Sequence, residues 1–477
     1  MTSIGTINLV NGGLDVTSIV DNLVTAAQTP ITNLQTQTTS YQNKISAYQT
    51  LNSNMLALQT SVESLLFNGE TAPLSMPSDF SSRFNTSIFA LRTATSSNQS
   101  VVTATADKGM ATGNYSISIS QLAKFDSYAS NNFSSDTGQT TQTGELVIQK
   151  GSDAGNAVHV TIDSTNNTLE GIKDAINEKN AGFTASVVND GSSSPYRLVI
   201  TSDDSGLANA LKITNNLKVG TGSSLSLSVA TAAQDAKLTV NNIDITSSSN
   251  AVTNAVEGMT FNLNAESGDA VVTVNRDVDS IVAGVKDFIS KYNDFTSYVT
   301  SQSAYDSTTK SAGLLSGDPT IRDAQNQVAT AVTQNVTSNG SAFSTLSQAG
   351  ISMANDGTLS LDETKLRNAL STNFSDTARL FLADGTDDDG NTTSLLPALE
   401  TRLKNFTDSL DGPITNATGA LQTDITSINN EIKQMQARLD IQQQLWIAEY
   451  TQANQALQQL TVMQASITSQ LSSLSSS

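Results

Sequence analysis

The sequence predicts a multidomain α+β protein. Long terminal α-helices form a coiled-coil-like stalk or leg, and nested β-rich head domains are inserted between them. Three observations carry this. Apolar residues recur every three or four positions over both ends of the chain, the spacing of one face of a long helix. From about 80 to 276 that rhythm gives way to strand-like alternation. Finally, only 14% of the residues are charged and 5% aromatic, with Ser, Thr, Asn, Gln and Ala making up much of the rest. Such a chain suits an elongated molecule with thin cores.

The N-terminal stripe opens with Val16, Val20, Leu23 and Ala27. Pro30 interrupts it and is positioned to start a second helix, because a proline tolerates the first helical turn but not the interior. The stripe resumes at Ile31, Leu34, Thr38, Tyr41, Ile45, Tyr48, Leu51, Met55, Leu58, Val62 and Leu65. Residues 22–43 hold no charged side chain.

Within the β region, alternation is clear at Tyr115/Ile117/Ile119, Val158/Val160/Ile162, Leu238/Val240, Phe261/Leu263 and Val272/Val274. One helix interrupts it. Thr168 is its N-cap, Leu169, Ile172 and Ile176 share a face, and it stops near Asn180 and Gly182. Turn-rich stretches at 130–144 and 220–235 mark the junctions between two β modules.

Helices return at Asp277 or Asp279, with Ile281, Val285, Phe288, Tyr292 and Phe295 on the apolar face. Asp318-Pro319 opens another helix as N-cap and N1. Asn355-Asp356-Gly357 signals a tight turn between two short strands, and Asp362 caps the helix that buries Leu366 and Leu370. Gly412-Pro413 and Gly419 bound the last helix. Its stripe runs through Leu421, Ile425, Ile428, Ile432, Met435, Leu439, Gln442, Trp446, Tyr450, Ala453, Leu457, Leu460, Met463, Ile467, Leu471 and Leu474. Two successive spacings of four flank Trp446, a departure from strict heptads that relaxes a supercoil.

The layout is nested. Residues 1–40 with 440–477 form a terminal helical leg that orders on assembly; 41–80 with 277–439 form a helical stalk domain. Residues 81–130 with 233–276 form an inner β head domain, and 131–232 an outer β-rich head domain with one helix.

Composition and motifs restrict function. A net charge of −20 disfavours nucleic acid and anionic membranes, which attract basic patches. There is no cysteine for a disulfide, a thiolate metal site or a nucleophile. The start of the chain lacks the features of a cleaved secretory signal, and no apolar run is long enough for a membrane span. The one histidine, His159, sits in an alternating strand with no triad around it. GTGSSL at 220–225 misses the last glycine of a dinucleotide loop, and Asp387-Asp388-Asp389 lacks the ligand spacing of a calcium loop. Asp203 and Asp204 are neighbours on a strand and so point to opposite faces. No catalytic, cofactor or metal site is expected.

The terminal stripes carry the function. In 41–66 and 420–440 charges flank the stripe as on any exposed helix, so these stretches bury each other. The pairing positions are Tyr41, Ile45, Tyr48, Met55 and Leu58 against Ile425, Ile428, Ile432, Met435 and Leu439. Residues 14–35 and 441–477 carry faces of Gln, Ser, Thr and Asn instead. Such faces lose less on desolvation than Lys and Glu would. They predict burial against other chains, through Leu14, Val16, Ile19, Val20, Leu23, Ile31 and Leu34, and through Trp446, Tyr450, Leu457, Leu460, Met463 and Ile467. Trp446 and Tyr450 are the anchors.

Four stretches, in order, resemble one family. They are GGLDVTSIVDNLVTAAQTPI, NTLEGIKDAINEKNAGFTASVVNDGSSSPYRLVITSDDSG, AVEGMTFNLNAESGDAVVTVNRDVDSIVAGVKDFISKYND and GISMANDGTLSLDETKLRNAL. Together they are similar to the bacterial flagellar filament cap proteins, the flagellar hook-associated protein 2 family. The last helix departs from many relatives in being almost neutral. The resemblance implies an assembly factor rather than an enzyme. It implies export through the flagellar type III apparatus with an export chaperone, and residence outside the cell at the distal flagellar tip. It also implies a ring-like homo-oligomer of roughly four to six subunits. Helical legs would contact the filament and neighbouring subunits, and flagellin would be inserted beneath. An alternative role for the Ser/Thr/Asn-rich β heads is adhesion to surfaces.

Overall fold

The computed structural model describes residues 9–10, 13–71, 73, 77–138, 142–218, 223–306, 310–337, 340–386 and 392–475. Its helices are α1 Val16–Phe67, α2 Phe80–Thr86, α3 Leu169–Asn177, α4 Val278–Ser303, α5 Pro319–Thr333, α6 Glu363–Thr372, α7 Phe374–Leu382, α8 Leu396–Thr407 and α9 Pro413–Ser475. The chain divides into two units, residues 1–83 with 282–477, and residues 84–281.

In the helical unit, α1 begins where the Asp15 carboxylate accepts from Ser18 N–H and ends at Asn68 in the left-handed conformation. Pro30 lies inside this helix and does not start a second one. The expected break fails because Pro30 and Ala26, whose carbonyl loses its acceptor bond, are both exposed. Water can satisfy that carbonyl, while α9 holds the opposite face. The expected boundary at residue 40 likewise falls within unbroken helix. Further along, Leu51, Met55, Leu58, Val62 and Leu65 are sealed from solvent. Full burial of each contributes about 1.5–3 kcal/mol. Tyr48 donates its hydroxyl to Asp318, which also caps α5, and Tyr298 donates to the carbonyl of Ala47 at 2.7 Å. Burial first, and then Asp318, push the Tyr48 phenol above its ordinary range.

Asp277 caps α4, accepting from Ser280 N–H, and all five predicted apolar positions of α4 are buried. The turn at Asn355-Asp356-Gly357 joins the antiparallel strands Ile351–Met353 and Leu359–Leu361. Gly357 has φ +84°, a region where a Cβ is disfavoured. Asn293 of α4 holds the second strand from the side, bonding both the N–H and the C=O of Leu359. Arg83 is buried and makes a bidentate pair with Asp384 while donating to the carbonyls of Pro77 and Leu382. α9 starts at Pro413, but Gly419 lies within it rather than bounding it.

Residues 84–281 form two β cores. One five-stranded antiparallel sheet runs in the order Ile243–Ser247, Ala236–Val240, Gly113–Gln121, Gly268–Arg276, Arg92–Ser96. With the three-stranded sheet of Ala251–Val256, Met259–Leu263 and Val102–Ala106 it encloses a cluster around Ile117, Leu238, Phe261 and Val272. The second core has a four-stranded sheet ordered Leu227–Thr231, Phe125–Ser130, Tyr196–Ser205, Phe183–Asn189. It adds a three-stranded sheet of Leu211–Asn215, Gly144–Lys150 and Ala157–Ile162, with α3 packed through Leu169, Ile172 and Ile176. The Thr168 side chain caps α3 by accepting from Gly171 N–H. One boundary shifts: the strand Phe125–Ser130, assigned from sequence to the inner head, pairs within the second core. The chain crosses over between Ala123, which belongs to the first core, and Tyr128, which packs on the second.

Candidate interaction surface on the terminal helices

α1 and α9 run antiparallel. Gln59 accepts from Thr407, just before α9, at 3.1 Å, whereas Gln28–Gln35 face Gln436–Asp440. Counting equal rises from Ile31 opposite Leu439, Val16 at the start of α1 stands opposite roughly residue 454 of α9. Beyond that level α9 has no α1 to pack on.

Side-chain burial follows this geometry. Val20 and Ile31 are only 2% and 5% exposed within the single chain. Val16, Ile19, Leu23 and Leu34 are half-buried. Of these positions, expected to be covered by other chains, Val20 and Ile31 are buried within the single chain, where α1 packs on α9, and the other four keep part of their surface open. The stretches expected to order on assembly are helical here from Val16 and through Ser475. As far as Asn454, this chain's own second helix supplies the partner. The Leu14 side chain lies outside the described residues.

The positions expected to form the stalk pair all turn inward, but the register is offset: with Ile31 opposite Leu439, Met435 and Leu439 face residues near 31–35 of α1 rather than 41–58. Tyr48, Met55, Leu58, Ile425 and Ile432 are buried, and Tyr41, Ile45, Ile428, Met435 and Leu439 half-buried. Past Leu439 the register differs from the sequence reading. Gln443 and Asn454 are half-buried, while Gln442 and Ala453 are exposed. The inward positions are therefore 439, 443, 446, 450 and 454, close to the natural 3.6-residue turn, so the helix need not supercoil here. Trp446 and Tyr450 are half-buried on this inward face.

Every side chain from Gln455 to Ser472 is exposed. Leu457 is 37% exposed, Leu460 60%, Met463 58% and Ile467 51%. No side chain from 450 to 477 is charged. This length of helix, about 27 Å by its rise, presents apolar side chains with no ionic group to desolvate beside them. A second exposed strip went unread in the sequence: Ile441 and Leu445 point away from α1, at 61% and 57% exposure. Their i, i+4 spacing was visible, but the stronger inward stripe masked it.

The remaining sequence candidates do not converge. His159 is exposed, its Nδ1 2.9 Å from Glu145 on the neighbouring strand. Asp203 accepts from Thr184, whereas Asp204 pairs with Lys150. Residues 220–222 and Asp387–Asp389 lie outside the described residues. Among the described residues no group of three or more His, Cys, Asp or Glu is placed to hold a metal ion. Nor is any helix long and apolar enough to cross a membrane.

Known proteins share this arrangement. The profile of the flagellar hook-associated protein 2 N-terminus matches residues 12–126, that of its C-terminus residues 233–462, and the flagellin hook IN motif residues 145–204. The flagellar hook-associated protein 2 of Escherichia coli strain K12 is 32% identical over 100% of both chains. The B-type flagellar hook-associated protein 2 of Pseudomonas aeruginosa is 29% identical, over 81% of this chain and 84% of its own. The crystal structure of the D1-D2-D3 domains of the flagellar cap protein FliD from Escherichia coli superposes with a TM-score of 0.61 at 30% identity. That match covers 79% of this chain and 99% of the other. With nested sheets between paired terminal helices and a relative matched from end to end, the chain belongs to the flagellar hook-associated protein 2 family, the flagellar cap proteins.

Proposed function

We propose that this protein caps the distal end of a bacterial flagellar filament, outside the cell, and promotes the insertion and polymerisation of flagellin beneath it. The role is structural rather than catalytic. The observation that carries it is the uncharged helix end beyond Asn454, exposed although it bears Leu457, Leu460, Met463 and Ile467. Each such side chain is worth up to about 1.5–3 kcal/mol when buried. Gln, Ser and Thr on the other faces leave no unpaired charge, so contacts can be remade in more than one register.

In this reading the leg contacts the filament and the adjacent cap subunits through residues 455–475 and the Ile441–Leu445 strip. Trp446 and Tyr450 fix the angle at which α9 leaves α1. The cap is a closed homo-oligomer, and closure of a ring of roughly four to six copies places every leg in an equivalent position. Before export, an export chaperone covers the apolar leg.

The test is growth of filaments in a strain lacking its own cap protein. The full chain restores long filaments. A chain truncated after Asn454 keeps its folded β cores, seen as unchanged strand content by circular dichroism, but leaves flagellin unpolymerised in the medium. Normal elongation by the truncated chain would overturn the assignment of the leg. Mass measurement of the assembled cap gives the subunit number.

A further inference from the structure

We infer that the α1–α9 pair carries a hinge at the level of Pro30, about which the distal leg bends during filament growth; the growth part rests on the capping reading above. Three independent features meet at this level.

The first is the backbone. Pro30 has no N–H, so Ala26 loses the bond that would close its turn.

The second is packing. A solvent-open groove of about 460 Å³ runs between the helices here, lined by the exposed Gln28, Thr32 and Gln35 of α1 and Gln436 and Asp440 of α9, with Ile31 and Leu439 at its floor. Close-packed interiors resist bending, whereas an open groove rimmed by exposed polar side chains can widen or narrow with little loss of packing. Between Val20 and Ala47, Ile31 is the only fully buried side chain of α1, which makes it the fulcrum.

The third is electrostatic. Residues 22–43 have no charged side chain, so no ion pair from α1 locks one angle.

The hinge gives the continuous helix a purpose for a residue that its interior should exclude. Bending of the pair at this level, with the unbroken α9 flexing across Gln436–Asp440, moves Trp446, Tyr450 and the exposed end of α9 together and leaves the densely packed region beyond Ala47 unmoved.

The test uses the full-length chain. Pro30→Ala restores the missing hydrogen bond. We expect amide exchange across 24–36 to slow by at least about tenfold, and filaments capped by this variant to be several-fold shorter than those capped by the original chain. The double variant Thr29→Pro, Pro30→Ala puts the break back one residue away and is expected to restore both fast exchange and filament length. Unchanged exchange in Pro30→Ala would overturn the hinge. Slowed exchange with filaments of full length would overturn its use in growth. Failure of the unmodified chain to support filaments would instead count against the capping reading, and the exchange measurement decides the hinge without it.

Discussion

The two halves of the α1–α9 pair differ in how many neighbours hold them. Beyond Ala47, α1 is surrounded: α8 packs along it, Tyr298 of α4 bonds its backbone and Tyr48 reaches Asp318 at the start of α5. Before Ala47, α9 is its main helical neighbour, and past Asn454 α9 has no α1 beside it. The side chains differ accordingly. Leu51 and Leu58 are fully sealed, whereas Leu460 is 60% exposed. The same periodic pattern therefore yields a rigid core at one end and an adaptable contact surface at the other. Periodicity specifies a face; the number of partners decides what that face is worth.

The largest effect expected of this contrast is at Leu58. Leu58→Ala opens a cavity among side chains that cannot collapse and should cost about 2–5 kcal/mol in urea unfolding followed by far-ultraviolet circular dichroism. A cost no greater than that of Leu460→Ala would break the comparison.

Arg83 sharpens it next. Removing its side chain in Arg83→Ala leaves Asp384 and two carbonyls without a buried donor. Because the Asp384 side chain is 40% exposed, water limits the loss to about 2–3 kcal/mol by the same assay.

Glu400, buried on α8, predicts a smaller and opposite effect. Burial holds its carboxyl above the ordinary carboxylate range, Lys404 opposes this and Glu63 adds to it. A carboxyl raised on folding contributes stability below its unfolded value, near 4.5, and loses it as pH rises through the folded value. Glu400→Gln stays neutral throughout. It should be more stable than the original chain by about 1 kcal/mol at pH 7, an advantage that fades as the pH falls to about 4. An advantage independent of pH would show that charge is not its cause.

The smallest expected effect is at Leu460. Leu460→Ala should change unfolding of the single chain by less than about 0.5 kcal/mol, since little is buried there to lose. Its consequence belongs in filament growth. A large loss of single-chain stability would mean that the helix end is packed after all.

Much of this was legible along the chain because it is local. Asp277, Asp318 and Asp362 cap helices through carboxylates that reach N–H groups two or three residues ahead. Thr168 and Gly357 act over equally short distances. The stripes from Val16 to Leu65 and from Leu421 to Leu439 follow from helix geometry alone. So the sequence by itself determined where the terminal helices and most strands lie, which faces are apolar, and that the leg carries almost no charge.

Tertiary structure decided what those faces meet. Pro30 stays within α1 because its open side is solvated and α9 supports the other, a balance that no local rule contains. Gln443 and Asn454 replace Gln442 and Ala453 at the interface because the partner helix sets the register. The strand Phe125–Ser130 joins the second core through partners some seventy and a hundred residues away. Val20 and Ile31 are covered while Leu457 and Leu460 are open because α1 begins at Val16 and α9 runs on to Ser475. Which of two equally apolar stretches is a core and which a contact surface depends on the relative lengths of two helices nearly four hundred residues apart in sequence.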